Sequence, residues 1–348
     1  MQFFLGFLWV AAIVGGCGGG GSGGSAVVGP GGGVQPLPTE PAAVVISYAG
    51  NTQPAVIDRS NAAHFAGLAV ELRSLTQLAE ATWIPLPQQS GELSDTLTGP
   101  DGGIAVATGR VDANGVGYLL VDFQAFADSG ITFNGSYIQR YRTFAPQATG
   151  LLYSNAGAGS IEFDDLVVST GQGSTTFRGS VVFTGANRQR FDIDLQIIDD
   201  VTGEIVFYEN CAIDFSTLDV SVDPQPGLSI SGTINDALLG SVQMTSINPF
   251  RNLAIVADAG FVVAGGGGGF RLASAGPVLE FRSLSRAYGA LVIDSDNDGM
   301  PEESLRISWG ELAGLVESKN SVASGPIANA GDAVLVAAGT KVSLHGLY

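Results

Sequence analysis

The residues best placed to do chemistry are the carboxylates of one acidic stretch, DSDNDGMPEES, at residues 294–304. Asp294, Asp296 and Asp298 occupy the first, third and fifth positions of a loop, and Gly299 occupies the sixth. This spacing lets three carboxylates converge on one hard cation, while the glycine permits the sharp turn between them. We therefore predict a Ca²⁺-binding loop. An acidic hairpin turn that holds no ion is the alternative.

Two more residues of this stretch are candidate ligands. Met300, at position seven, offers its backbone carbonyl, and Glu302, at position nine, offers a direct or water-mediated carboxylate. Leu305 stands at position twelve, where an EF-hand has a bidentate glutamate, and strand-like sequences flank the loop. The stretch resembles the short acidic calcium loops of bacterial surface proteins and thrombospondin type 3 repeats. Extracellular modules of this kind bind Ca²⁺ weakly, at roughly 10⁻⁴–10⁻³ M.

The sequence predicts no catalytic residues, and we expect a protein that is not an enzyme. The only histidines are His64 and His345, and zinc sites and Ser-His-Asp triads both rely on histidine. His64 is expected on the surface of a helix or half-buried there. Three carboxylate pairs are expected on solvated strand faces and turns, because strand neighbours point to opposite faces: Asp164 with Asp165, Asp192 with Asp194, and Asp199 with Asp200.

The composition is that of a folded acidic protein. The 348 residues carry a formal net charge of -18, which argues against nucleic acid as a partner because phosphate binding needs a basic stripe. Charged residues make up 14% and hydrophobic residues 45%, which is too apolar for a disordered acidic chain. Cation binding and extracellular solubility suit this balance better.

The N-terminus predicts a membrane anchor. Residues 3–14, FFLGFLWVAAIV, form an apolar run that is shorter than the about 20 residues of a spanning helix but as long as a signal-peptide core. Small residues then precede Cys17, and the step resembles the lipobox of bacterial lipoproteins. That resemblance implies cleavage after residue 16, lipid on Cys17 and an outer-membrane lipoprotein facing the periplasm or the cell surface. MQFF lacks the basic residue usual in a signal peptide.

Both ends of the body carry segments of other kinds. Residues 17–41 are rich in glycine and then in proline, as in a spacer that holds a folded body away from a surface. The last residues, PIANAGDAVLVAAGTKVSLHGLY, resemble the opening of a PKD-type immunoglobulin-like domain, so we expect 319–348 to be the truncated start of one. PKD-type domains act as spacers and adhesion modules, and they also accompany secreted hydrolases.

The body predicts a mainly β fold. From residue 103 onward, apolar and polar residues alternate between turn signals, which favours an antiparallel meander, a sandwich or a partly closed barrel. One amphipathic helix is expected near residues 60–80, capped by Ser60 or Asn61. Residues 43–48, AVVISY, are expected to form a first strand, and Asn134 with Gly135 is expected to form a hairpin turn. Cys211 is expected to be a buried, inert thiol.

These expectations give a domain plan and a function. We expect a signal peptide at 1–16, a tether at 17–41, a β-rich domain with an N-terminal helix at 42–222 and a second β-rich domain or continuation at 223–318. The body resembles an uncharacterised β-rich module of bacterial lipoproteins. We expect a surface-anchored, calcium-stabilised binding or structural module. Its predicted partners are the bilayer, through acylated Cys17, and a glycan or surface protein. The alternative is an accessory region of a secreted or anchored hydrolase acting on polysaccharide or protein.

Overall fold

The computed structural model describes residues 40–82, 91–112, 115–142, 159–171, 173–184, 190–214, 227–250, 253–255, 262–264 and 267–312. The chain divides into two compact bodies. The first body takes residues 40–50 and Ala79–Ala212, and the second takes Asn51–Leu78 and the residues from Ile213 onward. The predicted signal peptide, most of the tether, the boundary at 223 and the PKD-like end lie outside the described residues.

The first body is an antiparallel meander, as the alternation of its sequence predicts. Neighbours in the chain are neighbours in the sheet from β1 to β8. The strands are β1 (Gly91–Thr98), β2 (Gly102–Val111), β3 (Gly117–Asp128), β4 (Ile131–Tyr141), β5 (Gly159–Thr170), β6 (Gly173–Thr184), β7 (Arg190–Asp199) and β8 (Ile205–Asp214).

The second body contains the remaining elements. Its sheet has the order β9, β10, β13, β14, β15, β16, and β11 pairs with β12 in a separate small ladder. The strands are β9 (Ser229–Asp236), β10 (Gly240–Asn248), β11 (Leu253–Ile255), β12 (Val262–Ala264), β13 (Gly269–Ala273), β14 (Val278–Ser283), β15 (Tyr288–Asp294) and β16 (Glu303–Ser308); the helices are α1 (Ala62–Thr82) and α2 (Trp309–Leu312). The mainly β, antiparallel prediction is confirmed.

The predicted helix is present as α1, and its entry differs in detail from a simple cap. Asn61 precedes the helix, but its side-chain oxygen accepts from the Asp58 amide at 2.9 Å and its nitrogen donates to the Val56 carbonyl. Asp58 in turn accepts from the Ser60 amide at 2.7 Å, so a small polar turn leads into the helix. Among the described side chains of α1, only Ala63 is exposed. The other described side chains of the helix are buried or half-buried.

Three strands of the first body share one irregularity. Along β3 and β8, the buried residues change from a spacing of two to a spacing of three, and in β5 a buried run at 159–163 is followed by the same spacing of three, from Phe163 to Leu166. The second of the two residues between them has a left-handed backbone: Ala125 (φ 50°), Asp165 (φ 50°) and Asn210 (φ 49°). In β3 and β5 the ladder registers shift at these points. Such bulges add one residue to a strand and strengthen its local bend and twist.

The predicted hairpin turn at Asn134 and Gly135 is wrong. Both residues lie inside β4, and the turn that joins β3 to β4 is made by Ser129 and Gly130. Gly135 does have a positive φ of 84°, and the Asn134 side chain accepts from the Ala125 amide at 2.9 Å. Asn-Gly favours a positive φ in general, and here a bulge uses that preference instead of a turn.

The predicted strand at 43–48 is also wrong. The segment has no ladder partner, although exposed and half-buried residues alternate along it as in any extended chain. We call residues 40–48 the strap. Its contacts are made with β4, β5, β6 and β8, through Glu40, Val44, Ile46 and Tyr48. It therefore crosses the strands instead of pairing with one of them.

The core of the second body is built around aromatic rings. Phe270 and Phe281 stack with centroids 5.1 Å apart, and Trp309 meets Phe281 edge-on at 5.2 Å. The Trp309 ring nitrogen donates to the Ser285 carbonyl at 2.9 Å, which satisfies its polar group. A Cβ on Gly289 would lie 2.1 Å from the Phe281 ring, so this position in β15 needs a residue without a side chain.

Candidate metal site

The acidic stretch forms the connection between two paired strands. β15 ends at Asp294, β16 begins at Glu303, and Ile293 lies opposite Glu303 in the ladder. The Glu302 amide donates to the Ile293 carbonyl at 3.0 Å, which closes the loop. The predicted strand–loop–strand arrangement is confirmed, and the two strands hold the ends of the loop at a fixed separation.

Four carboxylates converge in this loop. Asp294, Asp296, Asp298 and Glu302 each present an oxygen, and these oxygens lie within 4.8 Å of one another. The set contains the three predicted aspartates and the predicted glutamate. All four donors are hard oxygen atoms, the type that Ca²⁺ prefers over nitrogen and sulfur.

Backbone amides of the same loop orient these carboxylates. Asp294 accepts from the Gly299 amide at 2.9 Å and from the Asp298 amide at 3.2 Å. Asp296 also accepts from the Asp298 amide, at 3.2 Å. The Met300 amide donates to Asp298 at 2.7 Å. The loop thus holds its like charges close together through hydrogen bonds from its own backbone, as an Asx-rich turn does.

Glu302 is held from the other side of the loop. Its carboxylate accepts from the Ser295 amide at 2.6 Å. This bond holds the pKa of Glu302 below its ordinary value, while the nearby Asp294 charge acts in the opposite direction. The side chain is exposed, so it stays ionised and accessible to a cation from solvent.

Two left-handed residues shape the turn, and one of them is tied to a neighbouring strand. Gly299 has a φ of 87° and Asn297 a φ of 58°, and both residue types tolerate this region. Arg271 of β13 donates to the Asn297 side chain at 3.1 Å. Sequence reasoning missed this contact, because Arg271 lies well upstream of the loop and shares no motif with it.

The donor set fits Ca²⁺, which takes six to eight oxygens, some of them from carbonyls and water. Four carboxylates supply part of that number. Met300 contributes its amide to the loop and is exposed, and the role predicted for its carbonyl stays a prediction. Leu305, which stands where an EF-hand has its glutamate, lies in β16 opposite Leu291. A β ladder therefore closes this loop where an EF-hand would use a bidentate ligand.

The remaining predicted positions lie elsewhere. Cys17 is outside the described residues. Cys211 is buried, as predicted, and forms no disulfide within the described residues. The three other carboxylate pairs do not converge on a shared site. Asp165 pairs with Arg178, Asp192 pairs with Arg190, Asp194 accepts from the Asn210 amide, and Asp199 and Asp200 accept bonds at the β7–β8 turn.

Sequence reasoning also missed a pair in the second body. The His64 ring nitrogen Nε2 lies 2.8 Å from an Asp236 carboxylate oxygen. His64 is half-buried, as predicted, whereas the Asp236 side chain is only 3% exposed. Burial by itself would raise the pKa of Asp236, but the bond to His64 and the amides of Leu239 and Leu238 bring it below the ordinary value.

The chain matches no protein-family model, no curated protein and no solved structure. Within the described residues, neither helix combines the length and the apolar composition needed to cross a bilayer.

Proposed function

We propose that this chain is a cell-envelope lipoprotein, anchored through Cys17, whose β-rich body is a non-enzymatic binding module that takes up Ca²⁺ in its β15–β16 loop. The observation that carries the proposal is the convergence of Asp294, Asp296, Asp298 and Glu302 within 4.8 Å. A divalent cation stabilises a loop with four carboxylates because it neutralises much of their negative charge. Calcium binding and membrane anchoring are separate parts of the proposal, and each has its own test.

The proposed role of Ca²⁺ is structural. Carboxylates held this close repel one another, and the attraction of each carboxylate to a bound cation outweighs that repulsion. Because the loop joins β15 to β16, the cation would stabilise the edge of the second sheet. If Ca²⁺ binds the folded chain and not the unfolded chain, it raises the free energy of unfolding by RT ln(1 + [Ca²⁺]/Kd), so the effect grows with the concentration of free Ca²⁺.

The anchoring part rests on the lipobox-like step at Cys17 and on the strap that follows the tether. Arg140 of β4 pairs with Glu40 and donates to the Pro41 carbonyl. These contacts fasten the chain to the first body at the point where the predicted tether ends.

Calorimetric titration with CaCl₂ tests the loop. Wild type should bind one Ca²⁺ and melt at a higher temperature in its presence, because the ion binds only the folded chain. Asp296→Ala should abolish both effects. Asp128→Ala is the matched control, since Asp128 lies at the end of β3 in the first body, where its carboxylate accepts from the neighbouring Ser129 hydroxyl. Equal heats in wild type and Asp296→Ala would contradict the calcium assignment.

Palmitate labelling of cells that express the full chain tests the anchor. Wild type should incorporate label, and globomycin should cause the uncleaved precursor to accumulate. Cys17→Ala should abolish labelling, whereas Cys211→Ala, which removes the buried thiol, should retain it. Label that persists in Cys17→Ala would exclude lipidation at this residue.

A further inference from the structure

The outer face of the second sheet, from β13 to β16, concentrates arginine. Aromatic and aliphatic residues take the inward positions of its strands, whereas the outward positions are mainly polar except on β15, where they include Tyr288, Ala290 and Val292. Arg271, Arg282 and Arg306 stand on the outward positions, and Arg286 is exposed in the β14–β15 turn. This concentration is unexpected in a chain with 15 basic against 33 acidic residues.

Two of these arginines flank a small residue. Arg282 lies opposite Ala290 across the β14–β15 ladder, and Ala290 lies opposite Arg306 across the β15–β16 ladder. The two arginines are therefore in one row, two strand spacings or about 10 Å apart. The small side chain of Ala290 leaves the space between them open to a ligand. The row therefore presents two positive charges with no large side chain between them.

Neighbouring side chains already orient the guanidinium groups. Arg306 lies over the Tyr288 ring, 3.9 Å from its centroid. Arg282 pairs with Glu280 at 2.5 Å. Within the described part of the chain, Glu280 is the one carboxylate that pairs with any of the four arginines. Most donors of this row are thus free for an external acceptor, and each arginine has five N–H groups.

We propose that this row binds an acidic polysaccharide, with its guanidinium groups paired to carboxylates of successive sugar units. This inference rests on the proposed role as a surface-presented binding module and names its ligand class. Planar guanidinium groups match carboxylates in two-point hydrogen bonds. The overall charge does not prevent this, because salt screens charges beyond about 8 Å at physiological ionic strength. The carboxylates beside this row are Glu280, which pairs with Arg282, and Glu311, which accepts from the amide of Ser308, two residues from Arg306.

Three observations favour a polysaccharide over other anionic partners. The charges form a line across the strands, which suits an extended chain with repeated acidic groups. The exposed aromatic platform that single-stranded nucleic acid uses is absent from the described part of this face, because Arg306 covers Tyr288. Among the described residues from β13 to β16, the strongly exposed large apolar side chains are Leu284 in one turn and Met300 in the acidic loop, which is less apolar area than a bilayer-inserting surface presents.

The test measures binding of full-length protein to an immobilised oligogalacturonate in EDTA, with the methyl-esterified oligomer as the uncharged comparison. Wild type should bind the acidic oligomer and not the ester. Arg282→Gln with Arg306→Gln should weaken binding at least tenfold. Glu280→Gln should tighten it, because it releases Arg282. Arg178→Gln, which changes an exposed arginine of the first body, should leave it unchanged.

The outcomes separate this inference from the calcium proposal. The double variant Arg282→Gln with Arg306→Gln should keep the wild-type heat of Ca²⁺ binding, and Asp296→Ala should keep polysaccharide binding in EDTA. Equal binding of the acidic and esterified oligomers would overturn the inference. So would equal loss in Arg178→Gln, or failure of wild type to bind the oligomer. Binding to phosphatidylglycerol vesicles that is lost in the double variant Arg282→Gln with Arg306→Gln, with no oligogalacturonate binding, would assign the face to a membrane instead.

Discussion

Arg140 and Glu162 form a buried, two-point ion pair on neighbouring strands of the first body. The guanidinium Nε lies 2.5 Å and Nη2 3.1 Å from the two carboxylate oxygens, and the side chains are 6% and 8% exposed. The same two residues hold the strap, since Arg140 also pairs with Glu40 and Glu162 accepts from the Val44 amide. One buried ion pair therefore joins β4, β5 and the strap.

Breaking this pair should destabilise the first body strongly. Arg140→Met leaves the Glu162 carboxylate buried without its partner, and removing one member of a buried pair costs ~3–5 kcal/mol. Urea unfolding followed by circular dichroism measures the change. Hydrogen exchange should also rise along the strap, because Glu40 and Val44 lose the pair that holds them.

The exposed pair of Arg178 with Asp165 is the control for that measurement. Arg178→Met should cost less than about 1 kcal/mol, because solvent screens an exposed pair. The double variant Arg140→Met with Glu162→Leu should recover stability relative to either single change, since it leaves no buried charge unpaired. A double variant as unstable as the sum of the two single variants would show that the charges do not act as a pair.

Gly289→Ala should destabilise the second body by ~1–3 kcal/mol, the usual cost of overpacking a core. The new Cβ would lie 2.1 Å from the Phe281 ring, which already packs against Phe270 and Trp309. Thermal unfolding followed by circular dichroism measures the change in stability. Gly276→Ala is the matched control, because a Cβ there meets nothing within 4 Å and should change stability by less than about 0.5 kcal/mol.

Asp236→Asn should lower the free energy of unfolding at neutral pH and change it little at acidic pH. The pKa of Asp236 in the folded chain is below its ordinary value of 3.8, so the carboxylate stabilises the fold above that value. That contribution is lost as the pH falls through the folded pKa. At about pH 7 we expect a loss of ~1–3 kcal/mol in urea unfolding, because a buried charged acceptor is removed.

The difference between Asp236→Asn and wild type should therefore narrow below pH 3.8. His64→Gln is the comparison, because it removes the partner ring but leaves the amides of Leu238 and Leu239 bonded to the carboxylate. Its effect should be the smaller of the two. A difference that stays constant from neutral to acid pH would contradict the proposed role of the Asp236 charge.

Gly299→Ala should weaken Ca²⁺ binding about tenfold. Its φ of 87° strains a residue with a Cβ, so the loop would shift away from the arrangement that brings the four carboxylates together. Asn297→Gly is the comparison, since glycine accepts the φ of 58° at that position; it removes only the bond from Arg271 and should lower Ca²⁺ affinity less than Gly299→Ala does. Calorimetry at several CaCl₂ concentrations compares the two. Weaker binding in Asn297→Gly than in Gly299→Ala would reverse the expected order.

The acidic loop could be predicted because all its ligands fall within nine residues of sequence. The meander could be predicted because the alternation is local as well. Arg140 lies 100 residues from Glu40, and His64 lies 172 from Asp236, so no window along the chain shows these pairs. Asn134 with Gly135 was interpreted as a hairpin turn, whereas the positive φ of Gly135 belongs to a bulge inside β4. The strap was mistaken for a strand because any extended chain alternates.

The bulges of β3, β5 and β8 make sheet curvature adjustable by single-residue deletion. Removing Asp165 would restore the spacing of two between Phe163 and Leu166 and leave both side chains pointing inward. Hydrophobic patterning would survive the deletion, whereas the extra bend of the strand would not. The curvature of this sheet thus depends on the extra residue in each bulged strand and not on the types of residue in it. A single-residue gap at a bulge in an aligned relative would therefore indicate a flatter sheet.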